Sequence, residues 1–164
     1  MKTIHCLIAL ALAGPLPVWS QEGVATQDPG ARAPLATIEA NVARIEFAPE
    51  RERWQANLDL WKIRLAKNGT LEKGDVDRMA LPFAIMQANV SRLMEPREKE
   101  RWMANRDMWQ MVLGMSGTPA GSEPATMKSA FSKMQANVGA ITEPEEKQRW
   151  TANVALWREF IAKM

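Results

Sequence analysis

Arginine, tryptophan and asparagine recur in this sequence with the spacing of a ligand-binding arc, and they do so three times. Trp54, Trp102 and Trp150 stand 48 residues apart, as do Trp61, Trp109 and Trp157. Each pair encloses an asparagine (Asn57, Asn105, Asn153) and follows an arginine (Arg53, Arg101, Arg149). On a helix these positions fall on one narrow arc. Indole faces bordered by amides and a guanidinium suit a saccharide, or an aromatic or cationic ligand. These twelve residues form the candidate binding set.

The same residues fit a second role. Six indoles burying ~150–250 Å² each would dominate the core of a chain this size. Buried amides then need partners, because an unpaired one costs ~1–3 kcal/mol. Asparagine is also a poor residue inside a helix. A second triplet, Asn41, Asn89 and Asn137, is therefore read as structural. It would pair with Asn57, Asn105 and Asn153, or with backbone groups where two helices cross.

Glu50, Glu98 and Glu146 precede the arginines by three residues. As i,i+3 pairs they would contribute a few tenths of a kcal/mol. Carboxylate catalysis needs two groups in different environments. Three equal copies fit a structural or binding role instead, so no catalytic residue is assigned and the chain is read as non-enzymatic. Met108, Met111 and Met115 lie at i, i+3 and i+7, and thioethers are ligands for Cu(I) or Ag(I). The other copies place Leu60 and Ile63, or Leu156 and Glu159, at the first two of these positions. Methionine as a core filler accounts for that variation, and no metal ligand or cofactor is assigned.

Composition narrows the field further. Among 164 residues, 21 Lys+Arg face 19 Asp+Glu with no long basic run. That balance offers no electrostatic basis for nucleic-acid binding. Lys2, the apolar run Ile4–Ala13, the breakers Gly14, Pro15 and Pro17, and Val18-Trp19-Ser20 together read as a secretory signal peptide cleaved before Gln21. The run is too short to span a bilayer. His5 and Cys6 are the only His and Cys, and Tyr is absent. Cleavage would leave a chain without thiolate or imidazole chemistry, with no disulfide and no His/Cys zinc site. An exported chain without disulfides fits a bacterial periplasm.

The elements that must position the arc follow from periodicity. The three copies share the pattern A-N-V-x-x-[IL]-x(4)-E-x-x-R-W-x-A-N-x-x-[LM]-W. Each copy reads as two helices. The first carries an apolar stripe: Leu35, Ile38, Val42, Ile45; Phe83, Met86, Val90, Leu93; Phe131, Met134, Val138, Ile141. Opposite lies a face of small residues, from Ala36, Ala40 and Ala43 to Ser132, Ala136 and Gly139. That face predicts a helix packed on both sides, the inner member of each pair. The second helix is expected over 49–67, 97–114 and 145–163, with Pro96 and Pro144 in its first turn.

The expected organisation is a signal peptide (1–20), a disordered segment (21–33) and an all-α domain (34–164). That domain comprises three αα-hairpin repeats (34–67, 79–115, 125–164). They form either a short solenoid or a six-helix bundle with approximate threefold symmetry. The expected function is an exported protein-interaction or scaffold module whose partner is another envelope or secreted protein. A small-ligand receptor built on the arc and a Met-based Cu(I)/Ag(I) carrier are the alternatives.

Overall fold

The computed structural model describes residues 29–67, 69–115 and 123–164; the expected signal peptide and most of the expected disordered segment lie outside them. Six helices follow in order: α1 (Pro29–Val42), α2 (Ala48–Leu65), α3 (Lys73–Ser91), α4 (Pro96–Val112), α5 (Glu123–Val138) and α6 (Pro144–Ala162). The described residues contain no strand. The all-α reading therefore holds.

Local chemistry sets the helix starts. Pro96 and Pro144 open α4 and α6, where the missing N–H removes no bond. Glu95 and Glu143 cap the same helices. Glu95 accepts from the backbone N–H groups of Arg97 and Glu98, and Glu143 from those of Glu145 and Glu146. In the first copy Phe47 occupies this position and caps nothing with its side chain. At α3 the Asp75 carboxylate accepts from the Glu72 N–H at 3.1 Å and is held by Lys67 and Arg78. Gly69 (φ 104°) and Gly114 (φ 68°) turn the chain after α2 and α4 in the left-handed region that other residues avoid.

The six helices close into a ring. The tightest helix pairs are α2 with α3, α4 with α5, and α6 with α1. The last pair joins the two ends of the described chain, so the arrangement is a closed bundle and not an open solenoid. Ala56, Ala104 and Ala152 are buried on α2, α4 and α6. They line the grooves beside α3, α5 and α1 respectively. Their small side chains let those neighbours approach closely.

Two expectations need correcting. The first helix of each copy is the outer one. Its apolar stripe faces inward, from Leu35, Ile38 and Val42 to Met134, Val138 and Ile141. The small face opposite (Ala36, Ala40, Ala43; Ala84, Ala88, Ser91; Ser132, Ala136, Gly139) is exposed throughout. The reason is arithmetic on faces. Helices α2, α4 and α6 bury the Trp arc on one side and Ala56, Leu60 and their counterparts on another, so they must take the centre. A single stripe is enough for an outer helix, and alanine on a solvent face satisfies helix propensity. The second correction concerns the start of α1. It begins at Pro29, inside the segment expected to be disordered, because Ala31 is drawn into the core.

Candidate functional site

The triplicated residues meet along the axis of the bundle. Trp54, Trp102 and Trp150 form one layer and Trp61, Trp109 and Trp157 another. Equivalent residues therefore sit at equal heights, so α2, α4 and α6 run in the same direction. At 1.5 Å per residue the two layers stand roughly 10 Å apart. Ring centroids lie 4.8, 5.0 and 4.8 Å apart in the first layer and 4.7, 4.6 and 4.8 Å in the second. All six contacts are edge-to-face, the arrangement favoured by the aromatic quadrupole. In a three-membered ring each indole can offer an edge to one neighbour and a face to the other.

Between the layers lies a closed ring of amides. Asn57 Nδ2 donates to Asn153 Oδ1 (3.0 Å), Asn153 Nδ2 to Asn105 Oδ1 (2.9 Å) and Asn105 Nδ2 to Asn57 Oδ1 (2.9 Å). Each oxygen also accepts an indole N–H from the second layer: Trp61 to Asn153, Trp109 to Asn57, and Trp157 to Asn105, at 2.7–2.9 Å. Both lone pairs of every amide oxygen are thus used. The spare protons of Asn105 and Asn153 point to Met86 Sδ and Met134 Sδ at 3.5 and 3.6 Å. Ile38 holds the corresponding place in the first copy and offers no acceptor.

At the N-terminal end of the inner helices the chemistry becomes ionic. Arg53 reaches Glu98 (2.6 Å), Arg101 reaches Glu146 (2.7 Å) and Arg149 reaches Glu50 (2.7 Å). Each guanidinium also lies over an indole of the same neighbour: Arg53 over Trp102 at 5.0 Å, Arg101 over Trp150 and Arg149 over Trp54 at 5.7 Å. Burial pushes the Arg53 guanidinium below its ordinary value, with Glu98 opposing that fall most strongly. Burial likewise pushes the Glu98 carboxyl up; Arg53 opposes, while Glu146 and Glu50 add to the rise. The Nε–H groups of all three arginines and the Trp150 Nε1–H are buried without an acceptor among the described residues.

The two networks run in opposite senses around the axis. Through its arginine, α2 holds α4; through its asparagine and second tryptophan, it holds α6. Every inner helix is tied to both neighbours by different chemistry. A shift of one helix along the axis breaks an ionic and an amide contact together.

All twelve candidate binding residues are brought together, but as core. The six indoles are 0–1% exposed, the three asparagines 0% and the three arginines 3–5%. The expected ligand arc has no ring face open to solvent, and the core role prevails. Asn41, Asn89 and Asn137 lie on the outer helices. Each donates to the carbonyl four residues earlier, that of Thr37, Ile85 or Lys133. Asn41 also meets Gln148, and Asn137 meets Glu100, on the neighbouring inner helix. They do not pair with Asn57, Asn105 and Asn153, which satisfy one another.

The methionines do not present a ligand set either. Met108 is in the core, Met111 packs partly against it and Met115 is exposed. Among the described residues no group of His, Cys, Asp and Glu is placed to hold a metal ion, and no helix is long and apolar enough to cross a membrane.

What the sequence reading missed lies at the surface. Three long grooves run between α2 and α3, α4 and α5, and α6 and α1, with volumes of about 350, 470 and 610 Å³. Their common floor is Ala56, Ala104 or Ala152, invariant in the repeats and visible there as the Ala of W-x-A-N. The walls differ. Leu81, Pro82 and Ile85 face Arg51 and Asp59 in the first groove. Lys99, Glu100, Asp107 and Lys133 line the second, and Pro34, Thr37, Lys147 and Gln148 the third. A separate cavity of about 290 Å³ opens near the C-terminal ends of α2 and α6. Comparison with known protein families, with characterised proteins and with solved structures finds no match.

Proposed function

We propose that this chain is an exported, non-enzymatic helical scaffold that presents its outer faces to another protein of the cell envelope or the secreted milieu. The observation carrying this reading is that the triplicated constellation is consumed by internal contacts. What remains for recognition is the exterior, where one rigid frame offers three differently lined strips. The first exposes large apolar side chains, Leu81 (69% exposed) and Ile85 on α3, beside a charged wall. Apolar anchors with a polar rim are the composition of a protein contact. The export half of the proposal rests on residues 1–20 alone.

A photo-crosslinking residue at Ile85 tests the scaffold reading in the cells that make the protein, with Gln135 on the outer face of α5 as control. A discrete protein adduct at Ile85 and none at Gln135 is the expected result. Equal, diffuse labelling at both positions would overturn it. Mass measurement of the protein from fractionated cells tests export: a mature N-terminus at Gln21 is expected, and a cytosolic chain retaining residue 1 would refute it.

A further inference from the structure

One of the breaks in the approximate threefold pattern of the core has a cavity beside it. Met79 on α3 and Met127 on α5 are fully buried. The counterpart on α1 is Ala31, equally buried but three heavy atoms shorter. The cavity of about 290 Å³ is lined by Ala31 together with Trp61, Leu65, Leu156 and Phe160. Dry cavities of ~150 Å³ accommodate a benzene, so this one has room for a ring with a short side chain.

Its polar lining is also peculiar to this sector. Glu159 stands where the other copies have Ile63 and Met111, and it pairs with Lys163 at 3.1 Å. Its carboxylate crosses over Gly30, where an added Cβ would lie 2.5 Å from both oxygens. Lys67, also on the wall, pairs with Asp75 at 3.2 Å. That leaves Arg64. It stands where the other copies have Val112 and Phe160. It donates to the Lys67 carbonyl at 3.2 Å and lies over the Phe160 ring at 5.0 Å. Among the described residues it has no carboxylate partner. A half-buried guanidinium over an aromatic ring, with donors left over and an apolar hollow beside it, has the makings of an anion anchor.

We propose that this cavity is a binding site for a small aryl or short alkyl carboxylate, its apolar body against Trp61, Leu65, Leu156 and Phe160 and its anionic group on Arg64. The site is independent of the outer grooves and of the scaffold reading. Trp61 lines it while its indole N–H stays bonded to Asn153 on the axis.

Phenylacetate and its neutral amide, phenylacetamide, are suitable probes, titrated into the full chain and followed by calorimetry and by the Trp61 indole N–H resonance. Saturable phenylacetate binding that moves the Trp61 signal is expected, with the amide at least tenfold weaker. Ala31→Met, which installs the side chain of the other two copies, should abolish binding without lowering the melting temperature. Arg64→Gln should weaken phenylacetate at least tenfold and leave the amide unchanged; it keeps the test decisive if Ala31→Met does not fold. No saturable binding, equal binding of acid and amide, or a Trp61 signal that stays still would each overturn the proposal.

Discussion

Asn105 Nδ2 donates to Asn57 Oδ1 at 2.9 Å, and the same oxygen accepts the Trp109 indole N–H at 2.9 Å. One side chain of α2 thus satisfies two donors of α4, both fully buried. Repeated around the axis, this relationship makes the amide ring a device that only equivalent helices in equal register can complete. It explains why a residue poorly suited to helices stands at the centre of all three.

Asn57→Leu should consequently be among the most damaging single changes that keep side-chain volume. It strands Asn105 Nδ2 and Trp109 Nε1, and each buried donor without a partner costs ~1–3 kcal/mol. A loss of about 2–5 kcal/mol in urea unfolding is expected. The triple variant at Asn57, Asn105 and Asn153 should lose less than three times that amount, since it removes the amide donors along with their acceptors. A neutral single variant would show that the ring contributes nothing.

The repeated helices, the apolar stripes and the identity of the central arc were legible in the sequence, because each is a local or periodic signal. Three features were not. The first helix of each copy shows two coherent faces, and a run of Ala, Ser and Gly reads as a close-packing surface unless one knows that α2, α4 and α6 need the centre for six indoles. Ring closure by α1 on α6 joins segments more than a hundred residues apart, and no period can announce it. The caps at Glu95 and Glu143 escaped because glutamate is not among the usual N-cap residues and Phe47 breaks the pattern in the first copy. The exchange of Met79 and Met127 for Ala31 was visible as a difference, but its meaning depended on knowing that the position is buried.

Two alanines four residues or fewer from a repeated asparagine test which helix is inside. Ala88 is on the exposed face of α3, so Ala88→Lys should change stability by no more than about 0.5 kcal/mol. Ala104 is buried on α4 at the groove beside α5. Ala104→Leu overpacks that seam and should cost about 1–3 kcal/mol in the same unfolding assay. The reverse ranking would put the first helix of each copy at the centre.

Phe47 is 66% exposed at a position where the other two copies cap their inner helix with glutamate. Phe47→Glu gives up little burial and supplies an acceptor and a negative charge to the start of α2. A gain of about 0.5–1 kcal/mol is expected, read as a melting temperature higher by a few degrees. An unchanged melting temperature would mean that the Glu95 and Glu143 caps add nothing measurable.

Acidification should weaken the fold through those same caps. The backbone N–H groups of Glu98 and then Arg97 hold the Glu95 carboxyl below its ordinary value. Burial alone would raise Glu143, but the N–H groups of Glu146 and Glu145 bring it below the ordinary value as well. For a carboxylate lowered on folding, the unfolded chain takes up the proton first. Its contribution is present above the unfolded value, ~4.3, and is lost as pH falls through the folded one. Glu98 has the opposite sign: raised by burial, it disfavours the folded state at high pH and relieves that burden on protonation. A Glu95→Gln/Glu143→Gln variant should therefore lose less stability than the parent between pH 5 and pH 3, while Glu98→Gln should steepen the loss. Identical pH profiles for the parent and the cap variant would rule out the caps as the source.

The six repeat tryptophans supply a direct optical readout, because the chain has no tyrosine. All six are 0–1% exposed and packed edge-to-face in two closed layers. After removal of residues 1–20, which carry Trp19, emission should be blue-shifted and resist acrylamide, and both properties should vanish together on unfolding. Trp109→Ala deletes an indole from the second layer and leaves Asn57 Oδ1 with one donor fewer. It should cost about 3–5 kcal/mol, and more than the outward-facing Met103→Ala on the same helix. Red-shifted, readily quenched emission from a chain still helical by circular dichroism would mean that the layers are open in solution. The arc would then be restored as a ligand surface.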